Sequence, residues 1–122
     1  MKPRIMYIEV KPRGGRNSGP ARIGRVHFSQ SGSILYYGGR ALEKVREEGD
    51  VKANYADMVT GDRYWVSGCK KKGGDRLQPG IIEIDDDVRE EYWTEIREMP
   101  ECKDQASIKS AGKRGGKQGR RG

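Results

Sequence analysis

Apolar residues in this chain come in short runs, each cut off by glycine, proline or small polar residues, and only one stretch repeats at helical spacing. With 18 glycines in 122 residues, that punctuation predicts a mainly β or α+β domain. Five to six short antiparallel strands would form a curled sheet or a small, partly open barrel, with one amphipathic helix near the C-terminus.

Residues 4–10 are rich in β-branched and aromatic side chains and read as a strand. Residues 11–20 hold two prolines and three glycines and read as a loop. Residues 21–28 alternate, but either parity could face inward, and Gly24 reads as a bulge position. A turn through Gly32 leads to the strand Ile34 to Tyr37, so 21–37 forms a hairpin that Gly38 and Gly39 end. Residues 40–49 read equally as one or two helical turns closed by Gly49 or as an irregular loop. Val51 to Asp57 and Arg63 to Ser67 flank Thr60-Gly61-Asp62 as a second hairpin. A basic glycine loop, 68–76, precedes a last strand at 81–84.

The helix is predicted over 87–99. Asp85, Asp86 and Asp87 place carboxylates at its start, and Asp87 with Glu90 fits a capping box. Val88, Tyr92, Ile96 and Met99 form one stripe with Trp93 beside it, and Pro100 stops the helix. Beyond Cys102 the apolar content collapses, which predicts a domain over 1–101 and a disordered basic tail over 102–122. The expected core is Ile5, Tyr7, Ile23, Val26, Phe28, Leu35, Tyr37, Val51, Ala53, Tyr55, Tyr64, Val66, Ile82, Ile84, Tyr92 and Ile96.

No apolar run reaches the length of a membrane span, and the first residues lack the pattern of a secretory signal. Two cysteines are too few for a disulfide framework, so a cytoplasmic location is expected. The net charge of +7 is unevenly spread: +8 over residues 1–76, −7 over 77–101 and +6 over 102–122. The body is therefore nearly neutral, and basic character belongs to one part of it and to the tail.

No catalytic residue is expected. The single histidine, His27, has no evident carboxylate or nucleophile beside it. Cys69 and Cys102 lack the spacing of a zinc site. Cys69 lies among Lys70, Lys71 and Lys72, which would lower its thiol pKa, against the plainer reading of an incidental loop cysteine. The three aspartates read as helix caps rather than a calcium loop, and no phosphate-binding P-loop occurs. No metal or cofactor is expected.

Nucleic-acid association is the better-motivated function. Arg4, Arg22, Arg25 and Arg40 fall in a region with a single acid, Glu9. Tyr36 and Trp65, on neighbouring hairpins, could supply a stacking surface for RNA or single-stranded DNA. Lys70, Lys71, Lys72 and Arg76 in the glycine loop, and Lys113, Arg114, Lys117, Arg120 and Arg121 in the tail, would hold phosphates. The alternative is a protein-binding or inhibitor module that presents Glu90, Glu91, Glu95 and Glu98 to a basic protein partner. Membrane association is not expected.

The stretch Gly19-Pro20-Ala21-Arg22-Ile23-Gly24-Arg25-Val26-His27-Phe28-Ser29 resembles a group of small bacterial proteins, as do Leu35 to Arg40, Lys52 to Tyr55, Thr60 to Gly68 and Ile84 to Arg97. The resemblance spans about residues 5 to 99 and implies no site residue. Some such proteins carry the name 1-deoxy-D-xylulose-5-phosphate synthase. A thiamine-diphosphate site needs large α/β domains, and 122 β-rich residues cannot supply one.

Overall fold

The structure, a computed structural model, describes residues 2–11, 19–46, 53–71, 74–75 and 80–110. Among them are the strands β1 (Arg4–Lys11), β2 (Ala21–Phe28), β3 (Ile34–Tyr37), β4 (Arg40–Lys44), β5 (Tyr55–Asp57), β6 (Arg63–Gly68), β7 (Gly80–Ile84) and β8 (Ser107–Ser110). Six of them close into an antiparallel barrel in the order β1-β6-β5-β4-β3-β2, with β2 returning to β1. The barrel is thus closed rather than partly open. The other two strands leave it through β2. Ala21, Arg22 and Ile23 pair with β7 in parallel, whereas His27 and Phe28 pair with β3, so one edge of β2 serves two neighbours. β8 then runs antiparallel to β7.

Side chains alternate across a strand, and here both faces are covered. Met6 and Ile8 of β1 point into the barrel with Val26, Leu35, Leu42, Tyr55, Tyr64 and Val66. Tyr7 points outward and packs with Ala21, Ile23, Ile82, Ile84, Val88, Tyr92 and Trp93 in a second core under β7 and the helical stretch. This explains why the parity of 21–28 does not declare an inward face: a strand buried on both sides loses the clean alternation. Met6, Ile8, Leu42, Val88 and Trp93 join the expected core, while Val51 lies outside the described residues.

Three local expectations are corrected. Gly24 is no bulge, because β1 and β2 pair without a break from Arg4↔Val26 to Glu9↔Ala21. Residues 40–44 are a strand, neither helical turn nor loop. Gly38 and Gly39, with φ of +59° and +77°, form a two-residue turn that sets Tyr37 opposite Arg40, the backbone shape that a type I′ hairpin needs. Within β4 only Leu42 is buried, so the strand carries almost no apolar pattern. The fold is also not wholly antiparallel, since β7 runs alongside β2.

The helix is shorter and less regular than its stripe predicts. A 3-10 turn (Asp86–Val88), one α-helical turn (Arg89–Glu91) and a π-helical turn (Tyr92–Ile96) follow one another. Its cap position is Asp85, which makes no side-chain cap bond, so the Asp87–Glu90 capping box does not form. Asp86 instead pairs with Arg89 one turn on. Glu98 takes a left-handed φ of 56°, and Pro100 opens a separate 3-10 turn. Met99 falls outside the buried stripe.

Residues 102–110, expected to be disordered, are part of the fold. Cys102 and Ile108 pack against the outer core, the Trp93 indole N–H donates to the Gln105 carbonyl at 2.9 Å, and β8 hydrogen-bonds to β7. A segment with few apolar residues is ordered here because a preformed strand edge supplies its main-chain partners. Residues 111–122 lie outside the described residues. No helix among the described residues is long and apolar enough to cross a membrane.

Candidate binding site at the barrel mouth

In an antiparallel barrel one end gathers alternate strand ends and starts. Here β1, β3 and β5 finish where β2, β4 and β6 begin. At this end lies a cavity of about 550 Å³. Its lining combines apolar or aromatic residues, Ile8, Val10, Pro20 and Tyr64, with the polar and charged Arg22, Arg25, Arg40, Asp85, Asp87 and Tyr37.

The cavity follows from the fork in β2. Since β3 takes one half of the β2 edge and β7 the other, the two diverge beside Gly24, and side chains rather than backbone bridge the gap. The Tyr37 hydroxyl donates to Asp85 Oδ2 at 2.5 Å, and Arg22 Nε donates to Asp85 Oδ1 at 2.6 Å. These groups lie across Gly24. A Cβ at Gly24 would stand 2.5 Å from Asp85 Oδ2 and 2.8 Å from the Tyr37 hydroxyl, besides meeting the ring at Cε1. Glycine is required by close approach, not by backbone angle. Burial, then the neighbouring Asp85 carboxylate, holds the Tyr37 hydroxyl well above its ordinary pKa, so it stays a proton donor.

The other two arginines are positioned in the same manner. Arg40 Nη1 donates to Asp57 Oδ2 at 2.8 Å. Asp57 is itself built into the β5–β6 turn, where its Oδ1 accepts the N–H groups of Val59 at 2.8 Å and Thr60 at 3.2 Å. The Val59 N–H, the Arg40 guanidinium and the Thr60 N–H together hold the Asp57 carboxyl below its usual range. Arg25 Nη2 donates to Glu91 Oε1 at 2.9 Å, and its Nε lies 4.0 Å from Asp87.

The structure therefore brings Arg22, Arg25 and Arg40 to one cavity, each with a carboxylate partner. Arg4 stands apart at the opposite end of β1, beside Gly68, and has no ion pair among the described residues. Tyr36 and Trp65 do not share a surface. They sit on β3 and β6, which occupy opposite sides of the six-stranded ring; Tyr36 is exposed and Trp65 packs on the outer core. The expected stacking platform is thus not assembled from this pair. Lys70 is exposed, and Lys71 Nζ lies 3.1 Å from Glu98. Lys72, Arg76, Lys113, Arg114, Lys117, Arg120 and Arg121 lie outside the described residues.

On the helical stretch, Glu91 and Glu98 are engaged with the body, while Glu90 and Glu95 are exposed with no ion pair among the described residues. His27 is exposed on β2 across from Tyr36. The activated-thiol reading of Cys69 is corrected. Its Sγ faces the Ile5 carbonyl at 3.7 Å, and burial with the nearby Asp75 carboxylate pushes the thiol up to about 12. The adjacent lysine run does not offset desolvation. The aspartates stand where caps are expected, Asp85 at the cap position and Asp86 and Asp87 in the first turn, but they make no side-chain cap bond and face arginines instead. Among the described residues no group of three His, Cys, Asp or Glu is placed to hold a metal.

Reading the sequence alone missed Asp57, Asp85, Tyr37 and Tyr64 as members of this site. For Asp57 a signal existed, since an aspartate just before a Thr-Gly-Asp turn commonly accepts the turn's own N–H groups. For Asp85 none did, because its partners are 48 and 63 residues away.

No protein-family model, curated protein or solved structure matches the chain. The resemblance to small bacterial proteins therefore gains no support, and the functional reading stands on the molecule's own geometry.

Proposed function

We propose that this is a non-enzymatic binding protein that associates non-specifically with RNA or single-stranded DNA, chiefly through residues 111–122. What supports the reading is a separation between two sets of cations. Arg22, Arg25 and Arg40 are each held by a carboxylate at 2.6–2.9 Å, which removes much of their long-range pull on a polyanion. Residues 111–122 hold five cations and no acid. Arg4 and Lys70 on the body would add secondary contacts.

Such binding is driven by counterion release and weakens with salt, by roughly 0.7 in the logarithmic slope for each phosphate of a single strand neutralised. The test is fluorescence anisotropy with a labelled single-stranded oligonucleotide across a salt series, comparing the full chain with a chain ending at Ser110. Loss of affinity, together with a fall in slope of up to about 3.5, is expected. An unchanged affinity and slope would remove the proposal.

The rival reading is a protein-binding module using the acidic helical stretch, and Glu90 with Glu95 is the feature that favours it. It predicts salt-tolerant capture of one basic protein and little nucleic acid in the purified sample. The ratio of absorbance at 260 and 280 nm separates the two most cheaply.

A further inference from the structure

We propose that the barrel mouth binds a small organic anion, an acidic headgroup joined to an apolar or aromatic body. This goes beyond nucleic-acid association, which needs no cavity.

Size and shape come first. A concavity of about 550 Å³ lies within the range of small-molecule sites, and barrel mouths are among their usual places. Its walls are two-natured. Ile8, Val10 and Pro20 with the Tyr64 ring form an apolar part that a hydrocarbon or aromatic body can cover, and Arg22, Arg25, Arg40, Asp85 and Asp87 form a charged part.

The sign of the ligand follows from counting which hydrogen-bonding positions are already used. The lining carries both charges, so net charge decides nothing. Asp85 has both carboxylate oxygens committed, one to Arg22 and one to Tyr37. Asp57, behind Arg40, is committed in the same way, to two backbone N–H groups and to Arg40. A guanidinium has five N–H donors. Arg22 spends its Nε on Asp85, Arg40 one Nη1 on Asp57, and Arg25 its Nη2 on Glu91. Asp85 and Asp57 are only 20% and 2% exposed behind these half-exposed guanidiniums, so an incoming molecule meets open N–H donors before carboxylate oxygens. The groups left over match an acidic headgroup, which a guanidinium can hold through two parallel bonds.

The carboxylates also hold the guanidiniums in place. An arginine already positioned loses less side-chain freedom when a ligand arrives. Arg22 and Arg40 each remain half exposed, at 50%, so their outer edges are reachable. Asp87 is the exception. It is two-thirds exposed, and its nearest described cation is 4.0 Å away. It would repel an anion, and that makes it a useful probe.

The test uses two dyes of nearly the same shape on the full chain. One is 8-anilinonaphthalene-1-sulfonate, an anion with an aromatic body; the other is N-phenyl-1-naphthylamine, which lacks the sulfonate. Saturable one-to-one binding is expected for the anion, with the neutral dye about tenfold weaker or worse. Arg40→Gln should weaken the anion about tenfold and leave the neutral dye unchanged. Val10→Trp, which fills the apolar part without touching charge, should weaken both. Asp87→Asn should tighten the anion severalfold while leaving the neutral dye and the urea unfolding midpoint unchanged, which separates it from the added uptake of both dyes by a partly unfolded chain. Phenylacetate and phenyl phosphate as competitors then distinguish a carboxylate from a phosphate headgroup.

The assignment is overturned if the neutral dye binds as tightly, if Arg40→Gln leaves the anion unaffected, or if Asp87→Asn weakens it. Failure of both competitors to displace the dye overturns it too. So does release of the dye by a saturating single-stranded oligonucleotide, which would place the anion on the nucleic-acid contact instead.

Discussion

The two faces of β1 and β2 end differently. Outward, Tyr7, Ala21 and Ile23 meet a core that β7, the helical stretch and β8 seal. Inward, Met6, Ile8 and Val26 belong to a core that runs out at the mouth, where apolar side chains give way to paired arginines and aspartates. One pair of strands thus supports a sealed layer on one side and an open vessel on the other. The difference traces to the shared edge of β2, because a strand that feeds two neighbours must leave a gap between them. That gap is where the polar groups collect.

The comparison can be broken most forcefully in the cores themselves. Trp93→Ala in the outer layer should cost about 3–5 kcal/mol and Leu42→Ala in the barrel about 2–5 kcal/mol, both read from urea unfolding. A single cooperative transition is expected for each variant, since β1 and β2 belong to both cores. Two separable transitions would mean that the layers are independent.

Gly24→Ala strikes the fork alone and should cost about 1–3 kcal/mol through crowding against Tyr37 and Asp85. Gly68→Ala is the matched control. Its nearest neighbour would be an arginine terminus at 3.4 Å, and little change is expected. Equal costs for the two glycines would remove the argument from close approach. Tyr37→Phe deletes the hydroxyl with its bond to Asp85 and its interaction with Arg22, and should cost about 1 kcal/mol in the same assay.

The smallest effects concern protons. Asp57 has a lowered carboxyl pKa in the fold, so its contribution to stability is complete above the ordinary carboxylate range and disappears as the pH falls through the lowered value. Asp57→Asn should flatten that part of an acid-unfolding curve, and an unchanged acid limb would contradict the pairing. For Cys69, a thiol pushed up to about 12 holds almost no thiolate in mildly alkaline buffer. Its alkylation should be far slower than that of a free cysteine in the unfolded chain, as followed by mass spectrometry.

Much of the barrel was legible in the residues. The alternating run at 21–28, the turn at Gly32 and the Thr60-Gly61-Asp62 turn each mark strands where the structure has them. β4 was not legible, because a strand with one buried side chain leaves no periodic trace. Its signal was the Gly38-Gly39 pair, which acts through backbone angle rather than hydropathy. β8 was hidden for a similar reason: its order comes from main-chain bonds to β7, which composition does not record. The mouth was half legible. Its arginines stood out as cations, but their aspartate partners did not, since Arg22 and Asp85 are 63 residues apart.

Local sequence by itself determined where strands could start and stop and which turns glycine must make, because these depend on a few adjacent residues and their backbone angles. It also determined the charge imbalance between body and tail. Only the tertiary structure decided which cations stay open. Pairing a guanidinium with a carboxylate requires the two to meet within about 3 Å, a distance that chain closure sets and composition does not.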